Sequence, residues 1–183
     1  NDSNALPASG WYNFSYNDAG WKSGPTEIST SAETANYGHN TTLAMGAYAY
    51  LTYYFRKNFT IQDTAKIVNM SFTIDYDDHY GVFLNGYLLN ESATGCLWDT
   101  HSDVCGTFHN SYIDTSGATN PVRPTYNLNS SHLAYLKNGT NVIAVGIKQE
   151  GTTSSDAAFM LTLQGYVNTT STSQSYTLQA NQT

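Results

Sequence analysis

The side chains of this 183-residue chain best suited to chemistry are an acidic run, a histidine-bearing loop and two cysteines. Asp75, Asp77, Asp78 and His79 crowd into five positions. On a strand, Asp75 and Asp77 share one face, the placement needed for a hydrolytic carboxylate pair or for a calcium site. His101, Asp103 and His109 form a second group with acid and base capacity. Paired aspartates before a glycine at a strand start also serve to anchor a hairpin. The chain has no nucleophile elbow, phosphate loop or metalloprotease helix. The expectation is therefore a protein that catalyses nothing and needs no cofactor, with calcium at Asp77 and Asp78 as its one candidate metal.

Cys96 and Cys105 flank a short polar segment, and in an oxidising compartment so close a pair is most simply a disulfide stapling a loop. Closing about ten residues contributes roughly 2–3 kcal/mol in the chain-entropy model. A zinc site from Cys96, His101, Cys105 and His109 is the sharper alternative, but its spacing matches no standard finger. The aromatics in or near this loop, Trp98, Phe108, Tyr112 and Tyr126, together with His101, are candidates to stack on a glycan, or else fill the core.

The compartment follows from ten N-glycosylation sequons, at Asn1, Asn13, Asn40, Asn58, Asn69, Asn90, Asn129, Asn138, Asn168 and Asn181. Eighteen asparagines in so Ser- and Thr-rich a chain would give about four by chance. Covalent N-glycans and an extracellular or cell-surface location are expected. The chain starts at Asn1 with no Met or apolar leader, so a secretion signal, if there was one, is expected to have been removed or to lie outside this sequence. Only seven Lys and Arg, within a net charge of -7, argue against nucleic acid as a partner. Residues 43–51, the longest apolar stretch, are too few to span a bilayer, which takes roughly 20.

Aromatic residues make up 14% of the chain and charged residues 11%, and the polar remainder is rich in Ser, Thr, Asn and Gly, a mixture suited to strands and turns. Strands are expected over residues 48–59, 67–76, 81–84, 87–89, 141–148 and 157–166, with one helical turn at 131–136. Asn85-Gly86 between two apolar runs predicts a type I′ hairpin. Residues 95–129 read as a long stapled loop. The fold class is all-β, an antiparallel β-sandwich or jelly roll.

Several blocks, in order, resemble the galactose-binding-like jelly-roll modules of secreted multidomain proteins. They are Asn17-Asp18-Ala19-Gly20-Trp21-Lys22-Ser23-Gly24-Pro25, Leu51-Thr52-Tyr53-Tyr54-Phe55-Arg56-Lys57-Asn58-Phe59-Thr60, Asp77-Asp78-His79-Tyr80-Gly81-Val82-Phe83-Leu84-Asn85-Gly86, Leu136-Lys137-Asn138-Gly139-Thr140-Asn141-Val142-Ile143-Ala144-Val145, and Ser154-Ser155-Asp156 with Phe159 and Leu161. The resemblance implies a β-sandwich accessory domain over residues 11–166, glycan-binding or structural and without catalytic residues. It also implies a further strand before the first block, where here only residues 1–10 stand.

Residues 167–183 lie beyond the resemblance, avoid Pro and keep β-prone residues, with Tyr176, Leu178 and Ala180 alternating. Two expectations stand for this tail: it is a disordered, glycosylated linker to a neighbouring domain, or it completes the sheet of another copy of the chain, giving a glycan-coated filament joined by strand exchange, which its lack of Pro favours. The alternative is a carbohydrate-binding module of a larger secreted adhesin or enzyme, with glycans as the partner.

Overall fold

A computed structural model describes residues 7–25, 28–29, 41–42, 52–99, 124–149 and 157–168, and the backbone of 175–179. Ten strands are assigned among them: β1 (Ile28–Ser29), β2 (Thr41–Thr42), β3 (Thr52–Ile61), β4 (Ile67–Asp77), β5 (His79–Leu84), β6 (Tyr87–Glu91), β7 (Thr125–Asn127), β8 (Gly139–Lys148), β9 (Ala158–Val167) and β10 (Ser175–Gln179). They form a six-stranded sheet, in the order β2-β1-β9-β4-β7 with β10 also on β9, and a four-stranded sheet, β3-β8-β5-β6. The resemblance to galactose-binding-like modules implied a β-sandwich, and a two-sheet β-sandwich is what the chain forms.

Period-two alternation sets the core. On β4, Met70, Phe72, Ile74 and Tyr76 point inward, and on β9 Phe159, Leu161 and Leu163 do so. They meet Tyr53, Tyr80, Val82, Leu84, Ile143, Val145 and Ile147 of the facing sheet. Phe55 stacks on Phe159 with ring centroids 4.5 Å apart. The strands expected from the sequence are all found with shifted ends, and Asn85 and Gly86 take positive φ in the hairpin turn between β5 and β6.

The expected loop over residues 95–129 contains β7, which pairs with β4 from Ser71 to Thr73. Three residues are too short a run to alternate legibly. The expected donor tail does form a strand. β10 pairs antiparallel with β9 of the same molecule, Tyr176 opposite Gly165 and Leu178 opposite Leu163. A tail that follows β9 after a short connection reaches its own sheet edge without meeting another copy. Ala180 lies outside the described residues.

The strands give the sandwich two ends. At one, the turn end, lie the β5–β6 hairpin, the β3–β4 connection, the helical turn Ser130–Leu133 and the start of β8. At the other, the loop end, β4 and β9 meet at Asp77 and Ala158, and β3, β5 and β8 meet at Thr52, His79 and Lys148. No helix among the described residues is long and apolar enough to cross a membrane.

Candidate functional site

The acidic run lies at the loop end. Asp75 and Asp77 occupy alternate positions of β4, as expected, but both are buried, and so is His79. Across the four-stranded sheet, Thr52, Lys148 and His79 stand in one row, all buried. Among the described residues no three His, Cys, Asp or Glu side chains gather as metal ligands.

Trp98, expected to meet a sugar, is 6% exposed. Gly81 and Gly146 face each other across β5 and β8 and leave a flat depression on the outer face of the four-stranded sheet. The indole fills it so closely that a Cβ on Gly81 would lie 2.5 Å from the ring and one on Gly146 2.6 Å. Its Nε1 donates to Glu91 Oε2 at 3.0 Å, and the Lys148 ammonium stands 5.8 Å from its centroid. Trp11, fully buried, packs edge-on to Tyr54 and donates to the Trp98 carbonyl at 3.0 Å. Trp98 is therefore part of a second core, together with Trp11, Tyr54, Phe83, Ala93 and Cys96.

Arg56 fastens this second core. Its Nε bonds Asp18 at 2.8 Å, and its guanidinium donates to the carbonyls of Trp11, Asn13 and Tyr16. The N-terminal segment is thereby held flat on the sheet. Burial pushes the Tyr54 hydroxyl up to about 12; a hydrogen bond with Thr52 opposes this shift and the Asp99 charge reinforces it. Tyr12 is raised as well, by burial first and then by Asp99, whose Oδ2 accepts its hydroxyl at 3.1 Å.

Tyr126 is also corrected, since on β7 it stacks on Phe72 at 5.1 Å and is half-buried against the main core. His101, Cys105, Phe108 and Tyr112 lie outside the described residues, so the expected bridge from the buried Cys96 does too.

The exposed aromatic surface lies at the turn end. Tyr87, 53% exposed, stacks on Tyr135 with centroids 4.1 Å apart and planes 6° from parallel. Phe14 is 42% exposed and carries the Lys137 ammonium 4.8 Å above its ring. Two buried asparagines clamp the backbone beneath. Asn85 donates to the Tyr135 carbonyl and to Asn141 Oδ1, each at 2.8 Å, and accepts from Val142 N at 2.9 Å. Asn141 donates to the carbonyls of Lys137 and Gly139 and accepts from Lys137 N.

Solved structures resemble the chain in part. An alpha-L-rhamnosidase of Streptomyces avermitilis, complexed with L-rhamnose, is 16% identical, matching 74% of this chain and 10% of that chain with a TM-score of 0.41. A beta-glycosidase of Bacteroides vulgatus is 18% identical, matching 84% of this chain and 18% of that chain at 0.40. The Pleurotus ostreatus lectin is 17% identical, matching 81% and 30% at 0.40. The chain thus spans 10% to 30% of the length of these three. No protein-family model and no curated protein matches it.

The sequence reading passed over Arg56, the glycine pair, the asparagine clamp and the Phe14, Tyr87 and Tyr135 surface. The glycine pair had a signal, a Gly inside each of two strongly apolar strands, which marks a close approach. The clamp had one too, since Asn85 and Asn141 each open or close an otherwise apolar run and belong to no sequon.

Proposed function

We propose that the chain is a non-catalytic, extracellular carbohydrate-binding module, and that Tyr87, Tyr135 and Phe14 at the turn end form the shelf on which the sugar lies. The observation that carries this reading is the stacked Tyr87–Tyr135 pair, in which Tyr87 lies outermost and is 53% exposed. An exposed aromatic face offers apolar area to the C–H face of a pyranose, while a phenol hydroxyl stays available to its hydroxyl groups. The shelf stands on a hairpin and a helical turn already locked by Asn85 and Asn141, so little ordering opposes binding. Lys137, over Phe14, adds a cationic donor at the margin. The absence of catalysis is supported by the burial of Asp75, Asp77 and His79.

The test is binding to an immobilised panel of neutral oligosaccharides, followed by titration of the best binder. Tyr87→Ala should weaken binding about tenfold, equivalent to roughly 1.4 kcal/mol. Tyr87→Phe keeps the ring and should bind within about twofold of the parent. A parent that holds no saccharide, or a Tyr87→Ala chain that binds as well as the parent, overturns the reading.

A further inference from the structure

We infer that, among the sequons of the described residues, N-glycosylation is selective and confined to the turn end. Among the described sequons, Asn58, Asn69, Asn129, Asn138 and Asn168 carry glycans, whereas Asn13 and Asn90 stay bare. The inference does not depend on the aromatic shelf.

Position is the first argument. Asn58 lies near the end of β3, Asn69 near the start of β4, Asn138 just before β8 and Asn168 just after β9. Asn129 caps the helical turn, and the neighbouring Leu128 N–H donates to the Met70 carbonyl. All five are therefore on elements that meet at one end of the sandwich, and all five are exposed.

The chemistry of the amide is the second argument. Glycosylation joins Nδ2 to the anomeric carbon of a lipid-diphosphate-linked oligosaccharide. The anomeric C–O bond to the diphosphate breaks, the diphosphate leaves with the electron pair, and the amide loses one proton. The attached oligosaccharide must then fit the fold, so an occupied asparagine has its nitrogen turned to solvent, whatever its oxygen does. At Asn129 and Asn138 only the oxygen is engaged, accepting from His132 N at 3.0 Å and from Thr64 N at 2.7 Å. Asn85 and Asn141, which belong to no sequon, spend their nitrogens on buried carbonyl and amide oxygens.

The two exceptions are crowded. Asn13 holds its amide between two glycines, so near that a Cβ on Gly10 would lie 2.5 Å from Nδ2 and one on Gly86 2.4 Å from Oδ1. A sugar on Nδ2 has to displace that packing. Asn90 is excluded by burial instead: it sits half-buried within β6, where the five others are exposed.

The full chain, secreted from a eukaryotic host, should be digested and treated with peptide-N-glycosidase in heavy-oxygen water, which turns each glycosylated asparagine into a labelled aspartate. Peptide mass spectrometry should find most copies labelled at 58, 69, 129, 138 and 168 and most unlabelled at 13 and 90. Label at Asn13 or Asn90 equal to that of the five, or a majority of the five unlabelled, overturns the inference.

Discussion

Trp98 at the loop end and Tyr87 at the turn end are the same kind of residue to a sequence reader, an aromatic in a turn-rich setting, yet they have opposite fates. Trp98 is 6% exposed because two facing glycines open a bed for it and Trp11 closes over it. Tyr87 is 53% exposed because one side of its ring already has Tyr135 and the other meets nothing of comparable size. What decides whether an aromatic packs or binds is the surface opposite it, and that surface is set by residues far away in sequence. Each end can be perturbed so that the contrast breaks or sharpens.

The largest effect should come from Trp98→Ala. Emptying the bed between Gly81 and Gly146 and losing the hydrogen bond to Glu91 should cost about 3–5 kcal/mol, read by denaturant unfolding. If Trp98 were a ligand-binding residue rather than core, the loss would be within about 0.5 kcal/mol, and the contrast with Tyr87 would vanish.

At the turn end the corresponding lesion is polar. Asn141→Ala leaves the Lys137 and Gly139 carbonyls, Lys137 N and Asn85 Nδ2 without their partner, at about 2–3 kcal/mol for groups this buried. Because the clamp holds Tyr135 through Asn85, the same variant should also weaken saccharide binding, whereas Trp98→Ala, wherever it stays folded, should not. A variant that loses stability but binds normally would show that the shelf does not rely on the clamp.

Much of this fold was legible because the signals are local. The alternation of Met70, Phe72, Ile74 and Tyr76 marks β4 and its inward face, and Asn85-Gly86 marks the hairpin through the φ these residues accept. The site was not legible for the opposite reason. Nothing near Trp98 in sequence reveals Gly81 and Gly146, and nothing near Arg56 reveals the Trp11, Asn13 and Tyr16 carbonyls that it gathers. The β-propensity of the tail is legible in its residues, while the choice of partner strand is not written in it. Composition says that residues 175–179 pair, and the short connection to β9 says with whom.

A subtler contrast is pH dependence. The outer-face core keeps the Tyr54 hydroxyl protonated up to about 12, against an ordinary 10.0, chiefly through burial. Its folded value is raised, so its contribution to stability is complete below pH 10 and is lost as the pH climbs from 10 towards 12, where only the unfolded chain ionises readily. Tyr54→Phe should flatten this alkaline limb of a stability–pH curve, leaving the part due to Tyr12, which is raised in the same direction. An alkaline limb equally steep in Tyr54→Phe would place the ionising group elsewhere.

The smallest effect should follow removal of residues 169–183. β10 adds five residue pairs at the edge of a sheet whose core is already closed by β4 and β9, so its loss should cost on the order of 1 kcal/mol, since net hydrogen-bond gains offset ordering entropy only narrowly. The more telling readout is size. Without β10, the stretch of β9 from Thr162 to Tyr166 presents unpaired N–H and C=O groups on one side, a template for a strand of another copy. Sedimentation should therefore find the full chain monomeric and the shortened one associating as its concentration rises. The reverse result, a polymeric full chain that becomes monomeric when the tail is cut, would mean that β10 pairs between molecules, and the turn end would then be a junction rather than a free sugar-facing surface.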